Sequence, residues 1–283
     1  MSRRHALSDA QWRLSEPPLP SASRGRAWAD HRRVIDGGLF WAATGVQWRD
    51  LPERFGPWQA VYERFRRWRD DGTWLRLLRA FQATADTAGL IDGGLFCVDP
   101  TSVRASRSAA GGKHRPRRAG RSRPGPQPWG VRDQAAPGHG RPRGAARTAG
   151  PAHETAGVEA ALASVRVPRA GRGRPRSRPT RPAGDRGYDI ATVRRRRRGR
   201  GIGAVIPARK RPAADRPRRG RPPAVDPAVY RRRNVIERCV CRLKECRRLA
   251  TRFEELAVSD LALVHAAMLR DWLRLLAPLS DTP

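Results

Sequence analysis

Asp226-Pro227-Ala228-Val229-Tyr230-Arg231-Arg232-Arg233-Asn234-Val235-Ile236-Glu237-Arg238-Cys239-Val240-Cys241-Arg242-Leu243-Lys244 opens with an aspartate that can cap a helix and a proline suited to its first position. The spacing predicts one long helix from there. At about 100° per residue, Tyr230, Arg233, Glu237 and Lys244 fall at roughly 0°, 300°, 340° and 320°, inside one arc of about 60°. Val229, Ile236, Val240 and Leu243 gather at roughly 220–280°, the adjoining buried face, while Arg231, Arg238 and Arg242 lie at roughly 80–120°, facing outward. A single carboxylate is therefore held beside two cations and a phenol at the border of an apolar stripe. By geometry alone, a functional site and an ordinary salt-bridged helix fit this pattern equally well.

Two more acids sit at the ends of other elements. Leu95-Phe96-Cys97-Val98-Asp99-Pro100-Thr101-Ser102-Val103-Arg104 reads as a buried strand that ends at a carboxylate, and Gly184-Asp185-Arg186-Gly187-Tyr188-Asp189 as a turn-rich junction. Alone, either acid could be a helix cap or a turn former. Together with Glu237, Asp99 and Asp185 make three carboxylates from separate elements, a set that can hold two hard, oxygen-seeking divalent cations. Such a pair activates water and stabilises the leaving oxygen in phosphodiester cleavage. Arg233 and Lys244 would then bind phosphate oxygens near the metals.

These stretches resemble the insertion-sequence transposases of the fourth and fifth families, whose signature is Tyr-x-x-Arg-x-x-x-Glu, six further positions, then Lys. Here the signature is Tyr230, Arg233, Glu237 and Lys244, and the string on through Arg247, Ala250-Thr251-Arg252 and Phe253 looks like the fifth-family version. Cys97 to Ala105 is similar to that family's first-Asp segment, Gly184 to Asp189 to its second, and Trp48 to Gly56 to its N-terminal domain. The resemblance implies an α/β fold, with a ribonuclease-H-like catalytic domain (mixed sheet with helices) preceded by an all-α N-terminal domain. It also implies an Asp-Asp-Glu (DDE) triad of Asp99, Asp185 and Glu237 as catalytic and metal-binding residues, with Mg²⁺ (or Mn²⁺), two ions. The implied partner is double-stranded DNA, at transposon ends and target, engaged by a homodimer when active.

Before these motifs, residues 1–90 read as a helical domain. Ser8 can cap a short helix holding Trp12 and Leu14. A second helix runs from about Asp30 to Thr44, with Gly37-Gly38 allowing close backbone approach. Pro57 opens a third, whose Trp58, Val61, Tyr62, Phe65 and Trp68 form one apolar stripe, and a fourth runs from Thr73 to about Ala85. The aromatic residues suit core packing. Arg64, Arg66 and Arg67 between them suit either a solvated face or contact with DNA phosphates. Toward the C-terminus, Gly203 to Pro207 reads as a short buried strand, and Ser259 as the cap of a final apolar helix through about Leu276.

The whole chain of 283 residues carries 59 Lys and Arg against 26 Asp and Glu, a formal charge of +33. Such a field attracts polyanions, nucleic acid first among them. No apolar run approaches the ~18–20 residues of a membrane span, and Met1 to His5 leads into no signal core. A cytoplasmic, nucleoid-associated protein is expected. Cys239, Cys241 and Cys246 match no zinc spacing, so reduced and partly buried thiols are the better reading.

Residues 113–150 depart from the resemblance. They hold ten Lys or Arg against one acid, Asp133, and no Leu, Ile, Phe, Tyr or Met. Such a stretch cannot build a core and is expected to be disordered, without sheet pairing. The family has a segment here resembling Leu-Gly-Arg-Ser-Arg-Gly-Gly-Phe-x-Thr-Lys-Leu-His. Displaced by one nucleotide, with third bases chosen to fit, codons for Pro124 to Pro137 spell Leu-Gly-Arg-Ser-Arg-Gly-Ala-Phe-Ala-Thr-Lys-Leu-His. Trp129 has a single codon and Asp133 and Gln134 two each, so these positions constrain the match most, and the sequence is compatible with an out-of-frame reading. The expected organisation is a helical DNA-binding domain over 1–90, a ribonuclease-H-like domain over 91–112 and 150–279, and an out-of-frame basic segment over 113–150. The expected function is that of a transposase, binding terminal inverted repeats and cutting and transferring strands, in a copy that has lost activity. The alternative is a non-catalytic basic nucleic-acid-binding protein.

Overall fold

The computed structural model describes residues 5–21, 30–92, 94–97, 101–106, 131–134, 166–169, 171, 173–175, 177, 180–186, 189, 199, 201–208, 225–254 and 256–280. Its N-terminal part is helical. Helix α1 (Asp9–Ser15) begins with the expected cap, made reciprocal by Gln11: the Gln11 amide donates to Ser8 Oγ at 3.2 Å and the Ser8 amide to Gln11 Oε1 at 3.0 Å. Helix α2 (His31–Thr44) is capped by Asp30, which accepts from the Arg32 amide at 2.8 Å. It stops at Gly45, whose φ of 77° is the left-handed conformation a side chain resists. Midway, a Cβ on Gly37 would stand 3.1 Å from Val61 and 3.2 Å from Phe55, so the glycine is what lets the next helix approach. Helices α3 (Trp58–Asp70) and α4 (Thr73–Thr87) follow two 3₁₀ turns at Trp48–Asp50 and Glu53–Phe55. The aromatic stripe is core, as its spacing predicts. Trp41, Trp68 and Trp74 are fully buried, Trp41 stacks on Trp48 at 4.1 Å, and Phe65 sits 5.2 Å from Trp41 and 5.0 Å from Trp74.

This helical unit is completed from the far end of the chain. Helix α5 (Pro227–Arg231), helix α6 (Asn234–Lys244) and helix α7 (Arg247–Ala250) lead to the long α8 (Ala257–Ser280). One hydrophobic core contains Leu7 to Ala85 from the N-terminal helices and Cys246, Leu249 and Leu263 to Leu276 from the C-terminal ones. The expected domain of residues 1–90 thus does not close on itself. Arg248 fastens the two ends: its guanidinium lies 4.2 Å over Trp41 and 5.5 Å from Phe253, donates to Glu254 at 2.9 Å and to the Val46 carbonyl at 3.3 Å. Helix α8 starts two residues before Ser259, because the Leu256 carbonyl already accepts from the Ser259 and Asp260 amides. Ser259 is therefore not its cap, and accepts instead from Arg69 at 2.8 Å.

His265 of α8 is 9% exposed, and burial, with Arg79 acting in the same direction, pushes its pKa down to about 4. The folded state keeps this ring neutral, whereas an unfolded histidine protonates near pH 6.5. Its contribution is intact above pH 6.5 and is lost as pH falls from there toward 4, about 3 kcal/mol in all, levelling off below. Urea midpoints measured between pH 7 and 4 should fall accordingly, and His265→Gln should flatten that dependence.

The strands are short. Strand β1 (Leu95–Cys97) pairs in parallel with β4 (Arg181–Ala183), Leu95 opposite Arg181 and Cys97 opposite Ala183. Ala183 also bridges Val205 in parallel, which places the predicted apolar piece at 203–207 beside β4. Strand β2 (Thr101–Ala105) lies between β3 (Val131–Gln134) and β5 (Thr251–Arg252), again in parallel. Three expectations change here. The strand expected to end at Asp99 already ends at Cys97, and a second strand begins at Thr101, after Pro100, which lacks the amide donor that a ladder needs. The pairings among the described residues are parallel rather than mixed. Val131–Gln134, expected to be unpaired, pairs with β2, because a ladder is built from main-chain groups and needs no apolar side chains. The rest of 113–150 lies outside the described residues.

Candidate active site

Parallel pairing brings the C-terminal ends of β1 and β4 to the same side. Asp185 follows two residues after Ala183, half-buried, in a turn held by the Gly184 amide donating to the Val205 carbonyl at 3.3 Å. Asp99 follows two residues after Cys97 and lies outside the described residues. The two acids therefore stand at equal distances in sequence beyond two paired strands.

The third acid arrives on α6. Asp226 caps α5 as expected, accepting from the Ala228 amide at 2.9 Å and the Val229 amide at 3.3 Å. The predicted long helix, however, breaks at Arg232 and Arg233. Hydrogen bonds there run three residues back, from Arg233 to Tyr230, Val235 to Arg232 and Ile236 to Arg233. The break sends successive arginines to different partners: Arg232 contacts Asp92, just before β1, and Arg233 turns inward and is 8% exposed. The single 60° arc therefore does not carry across from half-buried Tyr230 to α6. Arg233 and Glu237 remain neighbours, with Arg233 Nη1 donating to Glu237 Oε1 at 2.5 Å. Lys244 ends α6 and is exposed.

This corner of α6 adjoins the sheet. Burial pushes the Cys97 thiol up, and Arg233 and Arg232 pull the other way, so positive charge stands near the end of β1. Arg181 of β4 lies 3.7 Å from Asp226 at the start of α5. Sequence reasoning missed both Arg232–Asp92 and Arg181–Asp226, since pairs so far apart leave no periodic signal. Asp185 and Glu237 supply carboxylate oxygens, the donors hard cations take. Among the described residues no three His, Cys, Asp or Glu side chains stand close enough to hold a metal ion, and Asp99 is not one of those residues. The four cysteines are free thiols, with Cys246 buried, Cys97 and Cys239 half-buried and Cys241 exposed.

On the helical unit, Arg66 and Arg67 are exposed, Arg66 standing 5.6 Å from the Tyr62 ring. Arg64 was expected beside them and is instead buried. Its guanidinium is 3.0 Å from His31 Nδ1 and 5.9 Å from the Trp68 ring. The opposite nitrogen of His31 lies 3.0 Å from the Pro20 carbonyl, which can only accept, so Nε2 carries the proton and Nδ1 accepts from Arg64. Arg64 therefore packs the unit and leaves the surface to its neighbours.

Residues 7–78 match a family model described as "Putative transposase of IS4/5 family", and residues 183–274 match one described as "Transposase DDE domain". The second match contains Asp185 and Glu237, and neither reaches residues 79–182. An uncharacterized protein, y4sN, of Sinorhizobium fredii is 34% identical over 109 residues, 38% of this chain and 82% of that protein. The uncharacterized 16.2 kDa protein of insertion element IS402 from Burkholderia cepacia is 36% identical over 107 residues, 35% of this chain and 73% of that protein. No solved structure matches. The two family matches frame the helical unit and the Glu237 helix, and with both relatives they establish that the chain belongs to the insertion-sequence DDE transposases of the IS4/5 type.

Proposed function

We propose that this chain descends from an enzyme that binds the terminal inverted repeats of its element and cuts and joins DNA strands. Asp99, Asp185 and Glu237 would be the metal ligands of a ribonuclease-H-like domain. The observation that carries this reading is the in-register parallel pairing of β1 and β4, with Asp99 and Asp185 each two residues beyond. The contact of Arg233 with Glu237 near the end of β1 supports it. Two Mg²⁺ (or Mn²⁺) ions bound there would supply Lewis acidity and an activated water. The chain's own residues do the rest: buried Arg233 fixes one oxygen of Glu237, and exposed Lys244 and half-buried Tyr230 would meet the phosphate backbone. Arg66 and Arg67 present exposed cations to DNA from the helical unit. The working form would be a cytoplasmic, nucleoid-associated homodimer, and no helix among the described residues is long and apolar enough to cross a membrane.

As translated, the copy is defective. Residues 113–150 read as the out-of-frame product of a segment that family members keep, and the family matches stop on either side of it. Its test is a nicking assay on DNA containing the element's ends. The chain with the frame restored should nick at the element boundary with Mg²⁺ and not with chelator, and the chain as it stands should bind without nicking. Binding without nicking by both forms would leave a basic nucleic-acid-binding protein as the better description.

A further inference from the structure

Among the described residues of α6, none is buried, and Leu243 is only half-buried against the helical core. A helix so placed gains little from hydrophobic burial. Its C-terminal end is held by polar groups of α8 instead. Arg242 Nε donates to Asp271 Oδ2 at 2.8 Å, and the Asp271 side chain is 13% exposed. Arg270 donates at 3.2 Å both to the Arg242 carbonyl and to Glu245 Oε2, and Arg274 reaches the same oxygen at 3.3 Å. The Arg242 carbonyl, one of the last in α6, accepts from the Glu245 amide at 3.2 Å and also from Arg270, so Arg270 adds to that end a cation suited to its dipole. Along this part of α8, Arg270, Asp271 and Arg274 fall within roughly 100° of arc, whereas Leu269, Leu273 and Leu276 occupy another side and enter the helical core.

We propose that the polar side of α8 is a positioning platform for Glu237: Arg270, Asp271 and Arg274 fix α6 through Arg242, the Arg242 carbonyl and Glu245. The helical unit and the Glu237 carboxylate are thereby set relative to each other by ion pairs more than by apolar packing, to which Leu243 contributes. The importance of that setting for catalysis rests on the reading of Glu237 as a metal ligand. The latch itself does not. Salt should weaken the exposed Arg274–Glu245 pair, while the pairs through Asp271 and Arg270, 13% and 12% exposed, are screened less.

Hydrogen exchange on the full chain tests this. Arg242→Gln and Glu245→Gln should each speed amide exchange across residues 234–244 by about tenfold, with α4 and the 262–269 part of α8 unchanged. Arg242→Lys, which keeps the charge, should retain most of the protection. The proposal is overturned if residues 234–244 exchange at the original rate in both neutral variants, or if α4 and α8 loosen equally. Measured without divalent metal, these exchange rates are independent of any metal binding by Glu237, so a failure of Glu237 as a ligand would show separately, in the cleavage and binding behaviour of its own glutamine variant.

Discussion

Glu237→Gln in the frame-restored chain is expected to abolish Mg²⁺-dependent cleavage while leaving DNA binding intact. The substitution keeps the shape of the side chain, and its amide oxygen can still accept from Arg233, which now reaches Glu237 Oε1 at 2.5 Å. What is lost is the negative charge of a carboxylate ligand. Metal-assisted stabilisation of a transferring phosphate is worth several kcal/mol, and each 1.36 kcal/mol is tenfold in rate, so a loss of about a thousandfold or more is expected. Glu237 is half exposed, so the change should scarcely alter folding, and an unchanged thermal midpoint would separate chemistry from stability. Cleavage at the original rate would remove Glu237 from the mechanism.

Removing α8 should unfold the N-terminal helices. Leu263, Ala266 and Leu276 are fully buried, and together with Leu269 and Leu273 they lie in the same core as Trp41, Trp74 and Phe81. Truncating one such leucine to alanine costs about 2–5 kcal/mol. Whole-domain stabilities run to about 5–15 kcal/mol, so losing the entire helix exceeds what the remaining core supplies. A fragment of residues 1–90 should show no cooperative urea transition, and adding a peptide of residues 257–280 in trans should restore one. A fragment that unfolds cooperatively at the midpoint of the full chain would show the helical unit to be autonomous.

The parts legible in the sequence are those decided locally. Ser8 and Asp226 cap helices because the amides they satisfy lie two or three residues away. The stripe from Trp58 to Trp68 shows which residues face inward, although not what they face. The partner that Arg232 meets at the break, Asp92, is 140 residues away and leaves no local signal, and Arg64 looked exposed because its partner His31 is 33 residues away. The apolar periodicity of 257–276 announces a buried helix and leaves its neighbours open, so the helical unit appeared to end near residue 90. For the site, Asp185 and Glu237 emerged from motif spacing. The connections holding their elements together, Arg181 to Asp226 and Arg232 to Asp92, are tertiary and had to be seen.

The fastening of both chain ends by Arg248 has a consequence for synthesis on the ribosome. The N-terminal helices are made first, yet the surface that α8 covers stays bare until the last residues emerge. Between Ala85 and Ala257 the ribosome adds about 170 residues, which at about 5–20 residues per second takes roughly 10–30 s. Throughout that interval Leu39, Leu77 and Phe81 face solvent on the nascent chain, a natural substrate for holding chaperones and proteases. A reading-frame slip in the middle of the gene would make that exposure permanent unless a second slip brought α8 back. Only a chain that reaches α8 covers that surface and closes the helical body.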